Sequence, residues 1–179
     1  GPHPVDQAVV LFGDAYPEVF CRMAAYHFDF GGDADNFCAL TLYGKGRPTI
    51  EVQVSSFLAY PQGEQYNIQG TCGGLSGGPA ELRWKYFDPK SAPKHTLWKP
   101  WSFDRQYCSE TLDWQEESWR FAEASSNANG FVSLSRGVYR NLYGVLRNGA
   151  GREITLEQVR RQIFVMEEAH RQNPLPVNE

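Results

Sequence analysis

The sequence predicts an α+β fold, an open and predominantly antiparallel sheet with helices on one face. Three observations carry this. Apolar runs divided by Gly, Pro and Asp fill the first half of the chain, which is the punctuation of consecutive strands. One run alternates apolar and polar residues with a period of two. From Ser135 onward the period lengthens to that of amphipathic helices. At 179 residues, the chain fits a single domain over residues 1–179.

The elements follow in order. Pro4 precedes Val5, Ala8, Val9, Leu11 and Phe12, and Gly13 ends the stretch, so a short helix is expected there with Asp6 in its first turn. Residues 19–30, then 37–43, read as strands. The clearest strand lies in 49–60, where Ile50, Val52 and Val54 alternate with Glu51, Gln53 and Ser55. Residues 66–71 and 81–87 add two more, joined by a glycine-rich tight connection, and the set reads as one extended sheet in meander order. Residues 88–135 are broken by Pro89, Pro93 and Pro100 and crowded with Trp98, Trp101, Trp114 and Trp119; an irregular excursion with one edge strand is expected. Val138, Leu142, Val145 and Leu146 then form one helical stripe up to Gly149. Thr155 and Gln158 form a capping box opening a last helix that runs to about Gln172, before Pro174.

Composition excludes several classes. Lys and Arg number 17 against 21 Asp and Glu, a net charge of -4, so no general attraction to nucleic acid is expected. Apolar runs such as residues 8–12 fall far short of the ~18 residues that mark a membrane span, and no basic and apolar leader opens the chain. A cytoplasmic location is expected. Cys21, Cys38, Cys72 and Cys108 show no metal-ligand spacing and read as small interior residues in a reducing compartment, with no metal.

The stretch of residues 70–78 is glycine-rich but has no Lys at the position a phosphate loop requires, and no G-x-G-x-x-G occurs, so the chain has no cofactor-binding residues of its own. His27, His95 and His170 lack partners at ligand or triad spacing. Asp113, Glu116 and Glu117 among Trp114 and Trp119 fit either a sugar-binding loop or a solvated one. The most suggestive arrangement is Gly1-Pro2-His3-Pro4-Val5-Asp6-Gln7, where His3 precedes a helix and Asp6 follows one turn on. Histidine suits proton transfer near neutral pH, and a carboxylate beside it can orient a ring or hold a substrate hydroxyl. A terminal His followed by an acidic helix-dipole partner has the same spacing.

In order and spacing these segments resemble the C-terminal domain of the glucose-fructose oxidoreductase, inositol dehydrogenase and rhizopine-catabolism (Gfo/Idh/MocA) family, over essentially the whole chain. Gly1-Pro2-His3-Pro4-Val5-Asp6-Gln7-Ala8 is similar to the family's G-x-H-x-x-D-Q segment. Ile50-Glu51-Val52, the turn Gly70-Thr71-Cys72-Gly73-Gly74-Leu75, and Leu82-Arg83-Trp84-Lys85-Tyr86 resemble parts of its open sheet; Trp114 to Trp119 is similar to a loop in one branch. Tyr139 to Leu146 and Ile154 to Val159 resemble its closing helices.

The resemblance implies the substrate-binding half of an oxidoreductase that uses NAD or NADP and acts on a sugar, cyclitol or derivative. It makes His3 the catalytic acid or base and Asp6 a substrate-binding carboxylate. The family's first motif aspartate, its Glu-Lys-Pro lysine and its Rossmann domain have no counterpart in these residues; Lys99-Pro100 follows Trp98 and is a different motif. The isolated chain is therefore expected to be inactive, with no cofactor bound. Family members pair through the open sheet, so a homo-oligomer is expected. A stand-alone carbohydrate- or protein-binding module is the alternative, and a cofactor-free enzyme using His3 is a third reading.

Overall fold

The computed structural model describes residues 1–26, 35–60, 63–93, 111–121 and 127–174, without the side chains of 127–131 and 133. His27, His95, Trp98, Trp101, Lys99-Pro100 and Cys108 lie outside them. Backbone contacts group the chain into two compact units, one of Gly1–Tyr60 with Tyr139–Glu179 and one of Pro61–Val138.

In the first unit, helix α1 (Pro2–Phe12) leads into β1 (Glu18–Ala24), β2 (Phe37–Tyr43) and β3 (Ile50–Ser55), an antiparallel sheet in chain order. Cys21 lies opposite Leu40, Leu40 opposite Val52 and Leu42 opposite Ile50, so these side chains share one face. Together with Ala8, Val9 and Phe12 of α1 and Val165 and Ala169 of α3 (Leu156–Gln172), Cys21, Leu40 and Leu42 form the core, and Ile50 and Val52 pack against it. Phe12, Leu42, Val9 and Val165 are its largest fully buried side chains, each stabilising by ~1.5–3 kcal/mol through burial alone. The period-two pattern of β3 is realised, with Glu51 and Gln53 exposed on the opposite face.

Helix α1 starts at Pro2, earlier than the sequence suggested, and Asp6 consequently lies beyond the first turn. Proline is well suited to that turn: its φ is already helical and its missing N–H is one that would have no intrahelical acceptor. Gly13 ends α1 with φ 94°, its N–H donating to the Val9 carbonyl at 3.2 Å. Helix α3 opens on the expected cap, the Thr155 hydroxyl accepting from the Gln158 N–H at 3.1 Å.

The second unit is a meander of β4 (Tyr66–Gly70), β5 (Gly73–Gly77), β6 (Glu81–Tyr86) and β7 (Gln115–Arg120), all antiparallel. The α+β class with open antiparallel sheets is thus borne out, but the expected single sheet is interrupted: no ladder joins β3 to β4 among the described residues. The glycine-rich connection is also corrected, because Gly70 pairs with Gly73 around a two-residue Thr71-Cys72 turn and residues 73–77 are a strand. Glycine is required there by close approach. A Cβ on Gly73 would be driven into the Lys85 carbonyl and the Tyr86 backbone, and one on Gly77, at φ 149°, into the Glu81 carbonyl. The edge strand expected within 88–135 is β7, with Trp119 opposite Leu82 and Gln115 opposite Tyr86, and it takes in Glu116 and Glu117, which the sequence fitted to a loop.

Helix α2 (Asn127–Asn148) begins well before Ser135 and contributes residues to both units. Its stripe of Val138, Leu142 and Leu146 is exposed, as is Tyr139.

Candidate functional site

The first two turns of α1 bring the two sequence-predicted residues onto one surface. Val5, Ala8, Val9 and Phe12 face the core, which turns the stripe of His3, Asp6, Gln7 and Val10 away from it at helical spacings of three and four. His3 is exposed, Asp6 half-buried, and Val10 and the adjoining Leu11 are 55% and 50% exposed. The turn is held from α3, where the Gln162 amide donates from Nε2 to the Pro2 carbonyl at 2.9 Å. Pro2 and Pro4 remove two backbone donors from the first turn, leaving the His3 N–H at the positive end of the helix dipole. Such an end favours negative charge nearby.

The loop after α1 is fastened to α3 by residues that sequence reading missed. The Tyr16 hydroxyl donates to Glu157 Oε1 at 2.8 Å, and this bond to a carboxylate raises the phenol's pKa above its ordinary value. The Tyr16 ring meets Phe164 edge-on at 5.1 Å. Arg161 is buried, reaching the Asp14 carbonyl from Nη1 at 3.4 Å while its Nε has no partner. In the core, Cys21 and Cys38 lie with their sulfurs 3.8 Å apart; burial, followed by the neighbouring thiol, pushes Cys21 up to about 12. That thiol stays protonated and is no nucleophile at neutral pH. Cys38 and Cys72 are half-buried and, like Cys21, free.

The second unit carries a depression of about 520 Å³ on the polar face of its sheet, lined by Gln69, Ser76, Arg83, Lys85, Glu116 and Ser118. Its charges are already paired. Arg83 meets Glu64 at 2.6 Å and Lys85 meets Glu116 at 2.9 Å, with the Lys85 ammonium 5.1 Å above the Trp114 ring. Glu117, on the other face, accepts from the Tyr86 hydroxyl at 2.7 Å, which raises that phenol's pKa. Glu116 and Glu117 are thus engaged in cross-strand pairs, and Arg83, Lys85 and Glu116 in the depression each have a partner.

Among the described residues no group of three His, Cys, Asp or Glu could hold a metal, and no helix is long and apolar enough to cross a membrane. A dinucleotide fingerprint needs a parallel βαβ unit. Every strand pairing described is antiparallel, so the described residues form no such unit.

This fold is shared with solved oxidoreductases. An oxidoreductase from Bacillus cereus is matched over 100% of this chain and 57% of its own, at 15% identity and a TM-score of 0.66. A protein assigned as an oxidoreductase from Bacteroides fragilis is matched over 100% and 50%, at 17% identity and a TM-score of 0.56, and one from Klebsiella pneumoniae over 100% and 48%, at 14% identity and a TM-score of 0.59. The chain spans about half the length of the solved structures it matches. At these identities the likeness is one of fold, and it agrees with the domain architecture that the sequence resemblance implied. No protein-family model matches the sequence, and no curated protein does.

Proposed function

We propose that this chain is the substrate-binding half of a Gfo/Idh/MocA-type oxidoreductase that uses NAD or NADP on a sugar, cyclitol or derivative, its two units serving as one domain. The observation that carries the reading is the whole-chain match to half of several oxidoreductases, supported by the outward His3 and Asp6 on the first helix. In this reading the cofactor belongs to a nucleotide-binding domain encoded with the chain. His3 moves the proton at the reacting hydroxyl, Asp6 holds a neighbouring hydroxyl, and the exposed Val10 and Leu11 give the partner domain an apolar rim to cover.

The dimer is part of the same proposal. The face of β1–β3 turned away from the helices mixes Phe20, 62% exposed, and Tyr43, 40% exposed, with Glu51 and Gln53. A partly polar sheet face of this kind suits an isologous contact between copies.

The test begins with the mass of the natural product in its source cell, expected at about twice the 20.3 kDa of this chain. In that intact protein, His3→Ala should lower kcat by ~10²–10⁴ in a nicotinamide absorbance assay, the usual weight of a general acid or base, while Asp6→Asn should act mainly through KM. A natural product of 20.3 kDa that binds no nucleotide overturns the half-enzyme reading, and unchanged turnover in His3→Ala overturns the assigned role.

A further inference from the structure

Strand β1 is an edge of its sheet, with β2 on one side and, among the described residues, no strand on the other. Four of its outward backbone groups are nevertheless satisfied. The Cys21 N–H donates to Gln172 Oε1 at 2.8 Å, and Gln172 Nε2 donates to the Val19 carbonyl at 2.8 Å. The Met23 N–H donates to Asn173 Oδ1 at 2.8 Å, and Asn173 Nδ2 donates to the Cys21 carbonyl at 3.0 Å. Two consecutive side-chain amides thus engage four backbone groups on alternate residues, the pattern a neighbouring strand would use. The amides are themselves fixed: Asn173 caps α3, donating from its backbone to the His170 carbonyl at 3.1 Å and from Nδ2 to the Ala169 carbonyl at 2.9 Å.

An unprotected edge of this kind pairs readily with another strand, and the geometry favours one candidate. Cys21 presents both its N–H and its C=O outward, which is what a hydrogen-bonded antiparallel pair needs. A two-fold axis beside Cys21 would let two copies of β1 exchange both Cys21 bonds and join each Val19 carbonyl to the other copy's Met23 N–H. Those are the same groups that Gln172 and Asn173 occupy, and no other sequence is required.

We propose that Gln172 and Asn173 are a side-chain surrogate for a fourth strand, holding the β1 edge shut against antiparallel pairing with β1 of a second copy. The clamp is independent of the oxidoreductase reading. It keeps association away from the sheet edge whatever the sheet face does.

The test is the full chain with Gln172→Ala and Asn173→Ala together, followed by hydrogen exchange and light scattering across a range of concentrations. At low concentration the β1 amides should exchange at least about tenfold faster than in the unsubstituted chain, the sign of a locally opened edge. At high concentration the particle mass should rise above that of the unsubstituted chain, with β1 protection regained. Unchanged exchange overturns the proposal, and so does lost protection with a mass that stays constant. If the double variant loses its far-ultraviolet circular dichroism, Gln172→Glu with Asn173→Asp takes its place, keeping both acceptors, adding a charge at each, and removing the side-chain donors to Val19, Cys21 and Ala169. It should show the same changes in weaker form, and behaviour identical to the unsubstituted chain overturns the clamp.

Discussion

Cys21 should resist alkylation in the folded chain to a degree set by its surroundings. Burial, then the charge and sulfur hydrogen bond of Cys38, raise it from 9.0 to about 12. Only the thiolate attacks iodoacetamide, so a displacement of about three units lowers the reactive fraction about a thousandfold at pH 8. The same cysteine in the urea-unfolded chain is the reference, with the modified peptide counted by mass spectrometry over time. The folded rate should climb about tenfold per pH unit above 9, where the unfolded rate has levelled off. The sign for stability follows. Between pH 9 and 12 the folded thiol keeps a proton that the unfolded one has lost, so the stability this group contributes is flat below 9 and falls as pH rises through 12. A folded Cys21 alkylated within about tenfold of the unfolded reference at pH 8 would refute the buried environment.

Two substitutions test the packing of each unit. Leu42→Ala, at a residue with 0% exposure in the first core, should cost ~2–5 kcal/mol and be read as a lowered urea midpoint; a loss under ~1 kcal/mol would mean that the core is not centred there. Gly73→Ala should destabilise the second unit by ~1–3 kcal/mol through the forced contact with the Lys85 carbonyl, whereas Gly151→Ala, which meets nothing within 4 Å, should stay within about 0.5 kcal/mol. Equal effects at both glycines would remove the close-approach argument.

What could be read from the sequence was what depends on neighbours along the chain. The alternation in β3, the Thr155 cap and the glycine stop of α1 are local, and each appears where expected. The misreadings arose where a distant strand decides. Residues 73–77 became a strand because β4 and β6 pair with them, and glycine there answers to the backbone of β6 rather than to a turn. The acidic residues of Gln115–Arg120 fit a solvated loop until Lys85 is placed opposite Glu116 and the Tyr86 hydroxyl reaches diagonally to Glu117. The sequence sets the start of α1 at Pro4 because a proline suits a first turn, and Pro2 suits it equally, since in that turn each removes only a donor that has no use.

The candidate site divides along the same line. His3 and Asp6 share a face because three residues on a helix suffice to bring side chains together, so their proximity was readable from spacing once the helix was. What makes that turn a fixed platform is the bond from Gln162 to the Pro2 carbonyl, and what fastens the loop after it is Tyr16 on Glu157. Those partners are separated by nearly the whole chain, and neither Gln162 nor Gln172 has any composition or spacing signal that distinguishes it from a solvated helix residue. A single amide acquires meaning only from the backbone group opposite it. The positions most worth substituting in this fold are therefore ordinary glutamines and asparagines of the last helix, which tie its first turn and its first strand to one rigid frame.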